Sequence, residues 1–241
     1  SYSVTGVQTC ALPIYIAPVP EPAIPAGGFK TCFDAFSDVE RLEFLRAYYA
    51  ATSYMDAQVG RLMDALDRLG LWDSTLVILA GDNGYHHNER GWWNKNTLFE
   101  RSCRVPLIIC APGVRPGVCR APVEMVDLFP TVADLCAVPP PAGLAGRSLR
   151  PQLEDPTAPW TRAAYTLVAR GPGRFGHSVT DGRWRYTEWE EGSAGVELYD
   201  HDTDPEETRS LAGRPEWAAE QSRLRELLLR VPHGKTAKPG A

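Results

Sequence analysis

Apolar side chains recur at three- and four-residue steps along residues 42–69, at Leu42, Leu45, Tyr49, Thr52, Met55, Val59, Leu62, Leu66 and Leu69. That is the period of one buried helical stripe. Ser37 and Glu40 stand at capping-box spacing ahead of it and Gly70 follows it, which predicts one long helix ending at the glycine. Residues 75–80 are then continuously β-branched and apolar and stop at Gly81, the pattern of a strand covered on both faces in a parallel sheet. A short helical turn beginning within residues 95–100 and a second strand over 105–110 follow. This order of helix, strand, loop and strand is the one a doubly wound sheet requires.

Beyond residue 127 the periods shorten. Residues 127–136 predict a helix that tolerates Pro130 in its first turn, Pro139, Pro140 and Pro141 break it, and 143–159 read as a linker rich in proline and polar residues. Alternating runs at 164–169, 176–180, 183–189 and 196–199 predict short strands, with Asp181-Gly182 as a hairpin turn. Residues 202–206 form a turn, and 214–230 a closing helix with Trp217, Leu224, Leu227 and Leu228 inward. The fold class expected is α/β: a truncated three-layer αβα sandwich over residues 15–150, then a small antiparallel sheet with a packed helix over 151–231, and a disordered tail over 232–241.

Composition narrows the function. The 241 residues are 44% hydrophobic with a formal charge of −5, an ordinary globular balance with room for one sizeable core and a smaller unit. No run reaches the roughly 18 apolar residues of a membrane span, and the mild acidity without Lys/Arg clusters argues against a nucleic-acid partner. An anionic substrate must therefore be held by local charge. The six cysteines show no metal-ribbon spacing, and a core of this size needs no disulfide framework. Cys110 and Cys136 read as small buried hydrophobes.

Local charge is concentrated in AGDNGYHHNERGWWNKNTLFE, residues 80–100. Asp82 and Asn83 follow the predicted strand into the crevice where open α/β sheets place ligands. A carboxylate and an amide oxygen are hard donors that suit Ca²⁺ or Mg²⁺, and Lys95 adds a compact positive charge. A cation and an ammonium on opposite sides would clamp a tetrahedral sulfate or phosphate ester. His86, His87 and Arg90 lie between as candidates for proton delivery or substrate contact. The same letters also spell an ordinary turn, because Asn and Gly tolerate positive φ. Trp92 and Trp93 read as one core anchor and one pocket wall.

Several motifs in order resolve that ambiguity. The run YYAATSYMDAQVGRLMDALDRLGLWDSTLVILAGDNG, then ERGWWNKNTLFE, RVPLIICAPG, VEMVDLFPTVADLC, GLAGRSLRPQL and WRYTEWEEGSAGVELYDHDTDPEETRSLA, resembles the formylglycine-dependent sulfatases of the alkaline-phosphatase-like superfamily, in particular their iduronate-2-sulfatase-like branch. The resemblance runs with gaps over residues 15–212. It implies that Asp82 and Asn83 ligate one divalent metal, usually calcium, that Lys95 contacts the sulfate group and helps the leaving oxygen, and that His86 stands at the substrate mouth. His87 and Asn88 replace a more usual Leu-Gly. The substrate implied is a sulfated small molecule or glycan. A phosphoesterase or phosphonate hydrolase of the same superfamily is the alternative, as is a homologue that binds sulfated glycans without turnover.

The nucleophile is missing. The family's formylglycine arises in a Cys/Ser-x-Pro-x-Arg motif, and Cys10 is followed by Ala-Leu-Pro-Ile, with the proline one place late and no arginine. The first pair of metal-binding aspartates is missing too. Residues 4–14, VTGVQTCALPI, look like a translated sequencing adapter, so residues 1–14 are expected to be an artefact joined to the C-terminal part of an enzyme. They lack the basic and sustained apolar regions of a secretory signal.

Overall fold

The computed structural model describes residues 17–27 and 29–230, so the expectations for residues 1–14 and for the tail 232–241 lie outside the described residues. After the short helix α1 (Phe29–Asp34) comes α2 (Asp38–Leu69). Its start is the capping box read from the sequence: Ser37 N–H donates to Glu40 Oε2 at 2.8 Å and Glu40 N–H to Ser37 Oγ at 3.3 Å. Its end is Gly70, at φ 63°, a conformation only glycine adopts without strain.

The apolar stripe of α2 is where expectation and structure part. None of its residues is buried, and Tyr49 and Leu62 are 52% and 63% exposed. Packing gathers at its first turns, where the Phe44 ring lies 5.4 Å from Trp93 and Tyr48 lies 5.3 Å from Tyr85. Periodicity identifies which face of a helix is apolar; it does not supply the surface that covers it.

Strands β1 (Val77–Ala80) and β2 (Leu107–Cys110) form a two-stranded sheet. They are antiparallel, with Val77 opposite Cys110 and Ala80 opposite Leu107, which corrects the parallel pair expected from their continuous apolar runs. The intervening segment leaves and re-enters at the same end of the sheet, so no crossover connection is needed. Neither strand is covered on both faces. Cys110 falls on an outward position of β2 and Cys136 caps the following helix α4 (Leu128–Leu135), so both are exposed and not buried as expected. The described cysteines are all free. Helix α3 (Glu100–Cys103) precedes β2, and α5 (Arg150–Glu154) forms inside the stretch read as a linker, with a proline in its first turn where no N–H is required.

The second sheet is an antiparallel meander of β3 (Ala164–Ala169), β4 (Phe175–Thr180), β5 (Trp184–Trp189) and β6 (Val196–Asp200), in that order. Helix α6 (Ala218–Leu229) packs on it. Every residue of β5 is buried, which means both faces are covered. Alternation sorts them: Trp184, Tyr186 and Leu198 meet Leu224 and Leu228 of α6, while Trp189 and Tyr199 meet Ala23, Leu98 and Phe99. Leu98 and Phe99 belong to the segment that follows Lys95. The small sheet is thus the floor on which the chemically interesting loop rests.

Candidate functional site

At the end of β1, Gly81 N–H donates to Pro106 O at 3.0 Å and closes the strand pair. Asp82 and Asn83 follow, both exposed. Gly84 then runs against α3, its N–H donating to Ser102 O at 3.0 Å, and a Cβ there would lie 1.9 Å from Arg101 O. Neither Asn83 nor Gly84 has a positive φ. Glycine is required here for close approach of two backbones, not for the turn that Asp-Asn-Gly also spells.

The loop closes on itself to return Lys95 to the same place. His86 N–H donates to Asn94 O at 3.0 Å and Asn88 N–H to Trp92 O at 2.9 Å. Positive φ at Asn88, Arg90, Gly91 and Asn96 makes the reversals. Asn88 takes φ 88°, and asparagine is among the residues that best tolerate that region. Trp92 and Trp93 are both buried, correcting the division into one anchor and one pocket wall. Trp93 Nε1 donates to Asn88 Oδ1 at 3.1 Å and Trp92 Nε1 to Lys95 O at 2.9 Å. As a result Lys95 Nζ lies 3.9 Å from Asp82 Oδ2.

The remaining three candidates turn inward. His86 is 1% exposed and its Nε2 is 2.8 Å from Thr97 Oγ1, which donates to Ser102 Oγ at 2.8 Å. Burial, with Arg90, Arg101 and His87 nearby, pushes its pKa down to about 3, so it is neutral at physiological pH. His87 lies edge-on to Tyr48, ring centres 4.3 Å apart, and burial lowers its pKa. The Arg90 guanidinium sits 4.1 Å from the centre of the Phe99 ring and 5.8 Å from that of Tyr199, an interaction of cation with aromatic face that draws it toward the second sheet. Asp82, Asn83 and Lys95 are brought to one end of β1; His86, His87 and Arg90 support the loop from beneath.

A second acidic group needs a separate test. Glu100, His201 and Glu207 each offer an atom within 4.8 Å of the others, an arrangement that could ligate a cation. Arg185 already stands among them: it is ion-paired with Glu100, and its Nε is 2.9 Å from Glu207 Oε1, which is itself 2.9 Å from His201 Nε2. A buried guanidinium supplies the positive charge that a metal would, so the group fastens α3 to β5. Arg170, from the end of β3, donates to Asn96 O at 2.6 Å. Sequence reasoning did not find it, because nothing local links residues 74 positions apart.

Comparison with known proteins places these features. A model of the sulfatase family matches residues 17–138, and a model of the C-terminal region of N-sulphoglucosamine sulphohydrolase matches residues 88–233. Over 195 residues the chain is 30% identical to an N-acetylglucosamine-6-O-sulfatase of Bacteroides thetaiotaomicron, covering 77% of this chain and 35% of that protein. Among solved structures, a 2-O GAG sulfatase superposes with a TM-score of 0.78 at 25% identity, over 90% of this chain and 48% of the other. A phosphonate monoester hydrolase from Silicibacter pomeroyi gives 0.74 at 29% identity, over 82% and 43%. The chain spans about a third of the length of the curated relatives it matches. The fold is the truncated alkaline-phosphatase-like sandwich with its small C-terminal sheet, and because the two family models overlap across the Lys95 loop and reach from residue 17 to residue 233, this chain belongs to the sulfatase family.

Proposed function

We propose that this chain carries the metal and leaving-group side of a sulfuric ester hydrolase acting on sulfate monoesters of a small molecule or glycan. The observation that carries the reading is the meeting of Asp82 and Lys95, 3.9 Å apart, beside Asn83 at the open end of β1. Sulfatases as a family bind a divalent metal. The donor chemistry here fits: Asp82 and Asn83 present hard oxygens to solvent, suited to Ca²⁺ with Mg²⁺ as the smaller alternative. Two donors are fewer than either ion takes, so the other ligands come from elsewhere, as does the formylglycine nucleophile. When bound, such a cation polarises a sulfate oxygen and offsets its charge.

The rest is the work of this chain's residues. The Lys95 ammonium donates hydrogen bonds to the sulfuryl group and to the ester oxygen as negative charge builds on it. Trp92 and Asn94 fix the Lys95 backbone, and its ammonium stands 3.9 Å from Asp82 Oδ2. Neutral, buried His86 keeps Thr97 and α3 under the loop; it does not deliver the proton. In the longest gene product that contains these residues, Lys95→Ala should lower kcat for an aryl sulfate by about 10²- to 10³-fold. Full activity in that variant would overturn the reading. The likeness to a phosphonate monoester hydrolase favours one alternative: a kcat/KM for an aryl phosphonate above that for the aryl sulfate would establish it.

A further inference from the structure

The Lys95 corner is tied on every side. Lys95 N–H donates to Asn94 Oδ1 at 2.8 Å, and Lys95 O accepts from Trp92 Nε1 at 2.9 Å. Both ties come from the loop itself. The next residue, Asn96, is in the left-handed region at φ 66°, which asparagine tolerates well and which turns its carbonyl away from the loop's own ladder. Its carbonyl accepts the 2.6 Å bond from Arg170 Nη2.

Arg170 is well built for that task. Its Nε donates to Pro22 O at 2.8 Å and its Nη2 also reaches Ala23 O at 3.4 Å, so one planar fork joins the segment at residues 22–23, the Lys95 loop and β3. The guanidinium lies 5.1 Å from the centre of the buried Trp189 ring. Its charge is answered by carbonyl dipoles and an aromatic face, and burial without a carboxylate partner pushes its pKa down to about 10. A guanidinium carried by the end of β3 and bonded to backbone oxygens on two other segments, residues 22–23 and Asn96, is a device for fixing geometry.

We propose that Arg170 is a positioning residue for Lys95: by holding the Asn96 carbonyl from the second sheet, it sets where the ammonium stands relative to Asp82. The proposal rests on the role proposed above for Lys95. It makes the C-terminal sheet part of the catalytic geometry without any contact between Arg170 and substrate.

The test uses the longest gene product containing these residues and a series of aryl sulfates of rising leaving-group pKa. Arg170→Lys keeps the charge and loses the fork; Arg170→Met removes both. Each should lower kcat by between about 10- and 100-fold with KM little changed, and most for the poorest leaving groups, because a displaced ammonium no longer meets the developing oxyanion. In a Lys95→Ala background the same changes should cost almost nothing further. Reductive methylation of Lys95, followed by peptide mass spectrometry, should be faster in Arg170→Lys as the amine leaves Asp82. Equal losses for good and poor leaving groups, or losses that multiply with Lys95→Ala, would make Arg170 a structural fastening alone and overturn the proposal. If Lys95→Ala by itself costs nothing, the parent reading of Lys95 falls first, and this one with it. Arg170→Lys and the methylation rate remain readable if Arg170→Met does not fold.

Discussion

Gly84 shows how a single residue carries the site. Its missing Cβ lets the chain after Asp82 and Asn83 run against α3, with Arg101 O only 1.9 Å from where that atom would stand. Backbone cannot move aside as a flexible side chain can. Gly84→Ala should therefore push Asp82 away from Lys95, lowering kcat for an aryl sulfate by about 10²-fold in the longest gene product; unchanged kinetics would show that the approach is not needed. The ligand types at Asp82, Asn83 and Lys95 could be read directly, because hard oxygens and an ammonium have their chemistry wherever they stand. The orientation of His86 could not. A histidine in a polar loop looks like a surface group until Thr97 and Phe99 close over it.

Among elements, β5 and β6 hold the most informative balance of charge. Glu197 is buried on the loop-facing side of the sheet, accepting hydrogen bonds from Trp189 Nε1 at 3.1 Å and Tyr199 O–H at 2.8 Å. Burial raises its pKa, opposed by those two bonds and by Arg90. A carboxyl whose folded pKa is raised binds more protons folded than unfolded, so its contribution to stability falls as pH climbs from the ordinary glutamate range through the raised value. Glu197→Gln removes that loss. The difference in Tm between Glu197→Gln and the unmodified protein should shift in favour of the variant from about pH 5 to about pH 8, followed by differential scanning fluorimetry. A difference independent of pH would show that the fold does not raise the pKa of Glu197 above its unfolded value. Alternation along β5 was legible as a strand, yet not as a strand buried on both faces. The partners that bury its polar residues Arg185 and Thr187, Glu100 and Ser178, lie on other elements, so no local pattern contains them.

For the molecule as a whole, the exposed apolar face of α2 is decisive. Along its stripe Tyr49, Met55, Leu62 and Leu69 are each about half exposed or more, and an apolar stripe left open on an isolated chain favours association. Expressed alone, the 241-residue chain should self-associate, with light scattering at increasing concentration giving masses above the monomer's 26.6 kDa. A monomer that unfolds cooperatively would show that the face is stable in water. Among the described residues no helix is long and apolar enough to cross a membrane.

By itself the sequence determined what is local in origin: the ends of α2, the hairpin at Asp181-Gly182, the strand periods of the second sheet and the donor atoms at residues 82, 83 and 95. Each depends on a side chain and its near neighbours, which a linear pattern contains. Only the tertiary structure decided the antiparallel pairing of β1 with β2, the inward turn of His86, His87 and Arg90, and the reach of Arg170 to the Lys95 corner. Those outcomes depend on which surfaces meet across long separations, and meeting is settled by burial and hydrogen-bond satisfaction summed over the whole chain rather than by any one segment.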